Sequence, residues 1–189
     1  MGGEATRPVV ALAGRRVDPP DADTPRFPPG NAGPVRGRLR AFLEDRRAAA
    51  LVCSAACGAD LLALEAAEAL GLRRRVVLPF APERFRETSV VDRPGDWGPL
   101  YDRVVEAARR AGDLVVLEGA GEGAAAYAAA NARILEEALA LAGGAPVPVG
   151  AALAAIVWEG RPRGPDDATQ QFADLARGHG LAVEEVLTG

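Results

Sequence analysis

Side chains able to do chemistry are few in type in this chain of 189 residues. Its 22 basic residues are all arginine, and its only histidine is His179. Without lysine there is no Schiff base, no pyridoxal-phosphate chemistry and no lysine-bearing phosphate loop. One histidine excludes multi-histidine metal centres. Cys53 and Cys57 are too few for a disulfide scaffold, and a lone Cys-x-x-x-Cys pair is a poor zinc site, which leaves only a redox pairing open. No metal and no cofactor is called for. What remains is arginine, carboxylate, hydroxyl and backbone N–H chemistry, which suits holding an anion or a sugar.

Those groups gather in a few places. Gly14-Arg15-Arg16 follows an apolar run; its glycine permits a turn or a close approach, and its arginines can fork onto a phosphate or simply face water. In CSAACGADLLALE (Cys53 to Glu65), Ser54 and the N–H groups around Gly58, Ala59 and Asp60 can cradle a phosphate. Asp60 can instead accept from ribose hydroxyls or favour a helix dipole. Glu65 and Glu68 lie about 60° apart on a helical wheel, the pattern of a solvated face, with Glu65 the better placed to reach a ligand. Tyr127 and Asn131 share a helix face amid alanine and read as a packed polar pair or a crevice wall. In RPRGPDDAT (Arg161 to Thr169), Pro165 and the acids after it form a helix start. There Asp166 and Asp167 suit sugar hydroxyls better than phosphate, Arg161 and Arg163 can neutralise them, and Thr169 can donate directly. His179 is expected at a helix C-terminus, away from any such site.

The elements that must position these groups are readable from apolar runs. Strands are expected at Val9–Gly14, Ala50–Ala55, Arg74–Phe80, Asp113–Gly119, Ala154–Gly160 and Ala182–Thr188, the last at an edge because of its acids. Helical patterns cover Val35–Arg47, Ala59–Leu70, Trp97–Ala111, Ala124–Ala142 and Asp166–Arg177. Arg15–Pro34 is a long proline-rich loop of the kind that is often functional. Ala81–Pro94 reads as a second polar loop, and Gly143–Gly150 as an ordinary one. Strands without polar alternation, separated by helices, pair in parallel and are covered on both faces. The fold class is therefore α/β: a doubly wound, mostly parallel sheet of about six strands in a Rossmann-like three-layer sandwich, forming a single domain. Residues 1–8 are expected to be flexible.

In an open parallel sheet, ligands bind beyond the carboxyl ends of the strands, where helix N-termini offer free N–H groups. Each of the chemical segments above falls at such an end. An anionic small molecule is the leading guest.

Taken together, the first strand ending in Gly-x-Arg, CSAACGADLLALEAAEALG followed by RRVVLPF, FRETSV (Phe85 to Val90), DWGPLY, AYAAAN and VWEGRPRGPDDAT resemble a bacterial branch of the SLOG superfamily, Rossmann-like domains similar to DprA-type and LOG-type proteins. The resemblance runs from Val9 over nearly the whole chain. It implies binding of a nucleotide or nucleotide-derived molecule, as a sensor or ligand-binding module. The residues it carries over are Gly14, Arg16, Gly58, Asp60, Glu65, Asn131, Asp166, Asp167 and Thr169, together with Phe85 and Ser89 in a loop over the ligand; Arg15 stands where the family usually has histidine. The alternative it implies is an N-glycosidic hydrolase or transferase acting on nucleosides or nucleotides, LOG-like or deoxyribosyltransferase-like, with Glu65 or Asp60 as candidate catalytic carboxylates. The late loop reads Arg-Gly-Pro-Asp-Asp-Ala-Thr where LOG-type hydrolases carry Pro-Gly-Gly-x-Gly-Thr, which puts ligand binding ahead of hydrolysis.

Partners are narrowed by charge and hydropathy. A formal charge of −4 with scattered arginines argues against nucleic acid; the run Arg73–Arg75 reads as a solvated helix end leading into a strand. No stretch of about 20 apolar residues is present to cross a membrane. MGGEATRP lacks an apolar signal region and the hydroxyl residue usual for myristoylation, so a cytoplasmic protein is expected. The alanine-rich helix can pack as closely on a twin subunit as on a sheet, which leaves a homodimer open, and the two long loops can reach another protein.

Overall fold

The computed structural model describes residues 7–144 and 150–189. Among these residues six strands form one sheet: β1 (Val9–Gly14), β2 (Ala50–Cys53), β3 (Arg73–Leu78), β4 (Leu114–Val116), β5 (Ala152–Trp158) and β6 (Val183–Leu187). All pairings are parallel, in the order β4-β3-β2-β1-β5-β6. Six helices flank it: α1 (Ala32–Asp45), α2 (Ala59–Ala69), α3 (Pro82–Ser89), α4 (Gly98–Ala111), α5 (Gly123–Leu141) and α6 (Ala168–Gly178). The expected doubly wound α/β sandwich is what the chain forms.

Side-chain alternation along β1 separates the two cores. Val10 and Leu12 point into a core shared with α1, α2 and α4, where Leu39, Leu61 and Val104 are buried. Val9, Ala11 and Ala13 point the other way, toward Ile134 of α5 and Phe172 of α6. On that second face β1 and β5 present mostly alanine (Ala11, Ala13, Ala152, Ala154), which lets α5 and α6 lie close to the sheet. The chain climbs from β1 to β4 along one side. It then returns by α5 to β5, on the opposite side of β1. The connections after β1 and β5 therefore diverge between neighbouring strands, and such a reversal opens a crevice at the strands' carboxyl ends.

Element positions agree with the sequence reading to within a few residues, with one omission. Pro82–Ser89 is a helix, where a polar loop was expected. Its signals are a proline in the first turn and an early Glu83, but only Phe85 and Ser89 are buried, so no apolar stripe marks it. α1 starts at Ala32, ahead of the expected Val35, because Pro34 falls in the first turn, where a missing N–H costs nothing. The acid-bearing β6 is an edge strand; Glu185 accepts from Trp158 Nε1 at 3.0 Å, and Glu184 pairs with Arg46. The Arg73–Arg75 run is engaged internally: Arg73 and Arg75 converge on buried Asp113, Arg75 also reaches Glu137, and Arg74 pairs with Glu68. Of the segment expected to be flexible, residues 1–6 lie outside the described residues. Arg7 donates to the Ala48 carbonyl, and the Pro8 carbonyl accepts from Ala49 N. The expected loop Gly143–Gly150 lies largely outside them too, at residues 145–149.

Two glycines set how closely the site-forming loops approach. A Cβ on Gly14 would stand 2.4 Å from Ala59 Cβ and 2.7 Å from Val157 Cβ. Gly58, at φ +99°, would bring a Cβ within 2.8 Å of both Arg15 O and Val17 N. The start of α2 thus lies directly on the chain leaving β1, and Ala59 N donates to Arg15 O at 3.0 Å. Gly58→Ala is expected to lower stability by about 2–4 kcal/mol through backbone strain and overpacking. In urea unfolding its midpoint falls while the m-value stays unchanged.

Candidate functional site

A cavity of about 600 Å³ opens at the carboxyl ends of β1 and β2, within the usual range of small-molecule sites, roughly 300–1,000 Å³. Its floor is the end of β1, from Leu12 to Gly14. Ser54, Ala56 and Asp60 form the wall on the α2 side, and Phe85, Ser89 and Arg93 the wall under α3. Tyr127, Asn131 and Ile134 of α5 face these, with Thr169 of α6 and Arg163 before it. The front is the long loop after β1, through Asp18, Asp23, Thr24 and Arg26. Arg16, Asp60 and Thr169, from three separate segments, meet on one hollow.

The long loop is held in place rather than loosely draped. Asp18 Oδ2 accepts from Arg26 N at 2.8 Å and Phe27 N at 2.9 Å, while Asp18 N donates to Phe27 O. Phe27 is fully buried, and the Arg26 carbonyl accepts from the Thr188 hydroxyl. On the opposite side, Ser89 Oγ and Tyr127 Oη are 2.8 Å apart, and Ser89 O accepts from Cys57 N at 3.0 Å. These bonds clasp α3 to α5 and to the β2–α2 connection over the cavity. Phe80 packs edge-on to Tyr127 and tilted against Phe85, closing the wall with aromatic surface. Asn131 Nδ2 donates to Ala168 O at 3.1 Å and joins α5 to the start of α6.

Arg15 and Arg16 have separate fates. Arg15 forks onto Asp167, with Nη1–Oδ1 at 2.6 Å and Nη2–Oδ2 at 2.7 Å. Its Nε donates to Glu159 at 2.7 Å, and Nη2 also reaches Arg161 O. It touches the cavity, but its guanidinium is engaged by the protein and does not fork onto a guest. Asp167 is equally occupied: besides Arg15, it accepts from the backbone N–H groups of Arg163, Thr169 and Gln170 as the N-cap of α6. That corrects the sequence reading of Asp167 as a partner of sugar hydroxyls. Burial works against its charge, yet the Arg15 fork and these N–H groups hold its carboxyl well below the usual range. Glu159 is held low in the same way, against burial, by Arg15 and Arg26.

Arg16 behaves differently. It lines the cavity and pairs with Asp92, but its buried Nε has no hydrogen-bond partner among the described residues. Ser54 Oγ, on the same cavity, is buried and unpartnered as well. Arg93 and Arg163 also face the hollow, and among the described residues their ion pairs are long ones of 3.7 Å to Asp92 and 3.9 Å to Asp167. Asp60 is 7% exposed; burial pushes its carboxyl up to about 7, against the lowering influence of Ala56 N at 3.2 Å and of Arg16.

The other residues singled out in the sequence do not line the cavity. Gly58 and Ala59 shape it from behind, as the close contact of α2 with the β1 exit. Asp166 is exposed, off the wall. Glu65 sits on the outer face of α2, 3.3 Å from Arg36 of α1, so this candidate catalytic carboxylate is not at the site. Cys53 and Cys57 are buried free thiols, and burial raises both above their ordinary value. His179 follows α6 as its C-cap and is exposed. Sequence reasoning missed Arg93 as a wall residue, and took the loop after β1 as functional without naming Asp18, Asp23, Thr24 or Arg26. Among the described residues, no group of His, Cys, Asp and Glu is arranged to hold a metal ion, and no helix is long and apolar enough to cross a membrane. No protein-family model matches the chain, and no curated protein matches it.

Removing the charge of Asp167 while keeping its capping oxygen isolates the ion pair. Asp167→Asn is expected to cost about 3–5 kcal/mol at pH 7, as for breaking one partner of a buried pair. Because the folded carboxyl titrates below its unfolded value of roughly 4, its stabilisation is complete above that pH and is lost as pH falls through the lower folded value. The gap between wild type and variant is therefore expected to hold level above about pH 5 and to narrow steadily in chemical denaturation as pH falls from about 4 to 2.

Proposed function

We propose that this protein binds a nucleotide or nucleotide-derived small molecule in the cavity at the carboxyl ends of β1 and β2, as a ligand-binding module of the SLOG type. The observation that carries the reading is the wall holding Arg16 Nε and Ser54 Oγ, buried polar groups without partners, inside a 600 Å³ cavity at the sheet's reversal point. Native proteins satisfy nearly all such groups, and leaving one unmade costs about 1–3 kcal/mol. A guest with acceptor oxygens removes that cost. Arg93 and Arg163 supply further positive charge at the cavity, and Ala13, Ala130, Ile134 and Ala168 supply apolar surface for a flat ring. The resemblance of the Gly-Ala-Asp helix start and of the Phe85–Ser89 segment to SLOG domains supports a nucleotide over other anions. A cytoplasmic setting accords with two buried free thiols.

One observation favours a second reading, N-glycosidic cleavage. Asp60 is a cavity carboxyl poised near neutral pH, as a general acid needs to be. In that reaction the C–N glycosidic bond breaks as Asp60 gives its proton to the departing base, water forms the new C–O bond at the sugar carbon, and the proton that water loses restores the Asp60 carboxyl. Glu65 has no part in it.

Calorimetry against nucleoside mono- and diphosphates, cyclic nucleotides and ADP-ribose tests the first reading. At least one is expected to bind with unit stoichiometry, and Arg16→Ala to weaken it about 10- to 100-fold, the value of a charged hydrogen bond. Silence across the panel overturns it. Chromatography of nucleosides and nucleoside monophosphates incubated with the protein tests the second: free base is expected to appear and to be lost in Asp60→Asn, and release that persists in that variant removes Asp60 from the role.

A further inference from the structure

We propose that Arg16 Nε–H, the Ser54 hydroxyl and the Asp60 carboxyl form one oxyanion subsite, in which Asp60 takes part in its protonated form, so that seating a phosphate-like group is coupled to uptake of one proton. The inference deepens the ligand-binding reading and rests on it for the cavity's being a binding site at all.

The argument begins with what each group lacks. Arg16 Nε and Ser54 Oγ are buried on the cavity wall and form no hydrogen bond among the described residues, the Arg16 side chain lying against the neutral Cys57 thiol. Asp60 lies on the same wall, and one of its oxygens accepts from Ala56 N, leaving the other for a proton. A carboxyl in the first turn of a helix ordinarily stays ionised, since the dipole and the free N–H groups favour negative charge. Here burial outweighs both, because Ala56 N and the charge of Arg16 supply too little compensation. An ionised Asp60 would repel an incoming oxyanion. A neutral one offers an O–H donor beside the Arg16 and Ser54 donors, the arrangement an oxyanion requires.

The surroundings leave Asp60 as the group that changes. From the β1 exit come Arg16 and, paired with it, Asp92 of the segment after α3. Arg93 enters from that same segment, and Tyr127 from α5. Cys53 of β2 and Cys57 of the β2–α2 connection are the nearby thiols, both raised by burial and so neutral at pH 7. On α2 itself Glu65 and Glu68 point outward, to Arg36 of α1 and to Arg74 and Arg103.

Sulfate is the probe, because its charge is constant between pH 5.5 and 8.5. Its dissociation constant is to be followed by amide chemical-shift titration of the ¹⁵N-labelled full chain. Wild type is expected to bind with level affinity below pH 6 and to weaken toward about tenfold per pH unit above pH 7, the limit for one coupled proton. Asp60→Asn, which keeps the shape, is expected to give a pH-independent constant. Ser54→Ala is expected to bind more weakly at every pH with the wild-type slope, and it tests the subsite even if the Asp60 variant does not fold. A flat wild-type profile, an affinity that rises with pH as for a carboxylate accepting from a sugar hydroxyl, or no sulfate binding at pH 6 overturns the proposal. The two readings fail separately. A nucleotide that binds with no proton uptake and is not displaced by sulfate defeats the subsite alone. Proton-linked sulfate binding with no response to any nucleotide defeats the nucleotide reading alone.

Discussion

The arrangement at the strand ends depends on one buried guanidinium. Arg15 leaves β1 where its neighbour β5 turns the other way, and it holds the two apart-going chains together through Glu159 and Asp167. A flexible ammonium cannot do this, because the geometry demands a planar fork that meets one carboxylate with two parallel bonds and a second with the remaining Nε–H. Burying these charges is costly unless the donors and acceptors are satisfied. Here they are: Asp167 has five hydrogen bonds from Arg15 and three backbone N–H groups, and Arg15 also donates to a backbone carbonyl. Because Asp167 is also the N-cap of α6, the position of Arg15 fixes where that helix begins. Thr169 and Arg163 are thereby set on the cavity wall.

Around this anchor the site is built from close approach rather than from long side chains. Gly14 and Gly58 bring the β1 exit and the start of α2 into backbone contact, and that contact places Arg16 beside Ser54 and Asp60. The Ser89–Tyr127 bond and the Phe80, Phe85 and Tyr127 rings close the side away from β5. A chain of small residues through Ser54, Ala55, Ala56 and Gly58 leaves nothing to fill the hollow, so the cavity persists beneath well-packed walls.

Much of this was legible in the sequence, for reasons that can be stated. Uninterrupted apolar runs marked β1, β2, β4, β5 and the second half of β3, because a parallel sheet is covered on both faces, while the edge strand β6 keeps two acids. Alternation along β1 even separates the two arginines: Arg15 continues the phase of Ala11 and Ala13, toward α5 and α6, and Arg16 the phase of Leu12, toward α2. The helical angle between Asp60 and Glu65, five residues and so about 140°, likewise forbids both from facing one cavity. Two things stayed hidden. α3 presents only Phe85 and Ser89 inward, too little to generate a periodic signal. The engagement of Asp167 by Arg15 joins residues 152 positions apart, and local spacing carries no information about such a pair.

The adjacent arginines therefore express two uses of the same chemistry. An arginine with every guanidinium nitrogen engaged is a structural fastener, its charge met by two carboxylates before any guest arrives. An arginine whose Nε is buried but unmatched keeps part of its hydrogen-bonding capacity in reserve, at a cost to the empty protein. That cost is tolerated because the fastener beside it, and the backbone contacts of Gly14 and Gly58, hold the wall in shape without help from Arg16. The same reasoning separates the two aspartates. Asp167, ringed by donors, is fixed as an anion; Asp60, short of donors, is held near the point where it can gain or lose a proton. Stability and responsiveness thus reside in different residues of one rim, and only the second set faces an empty volume with capacity left to offer.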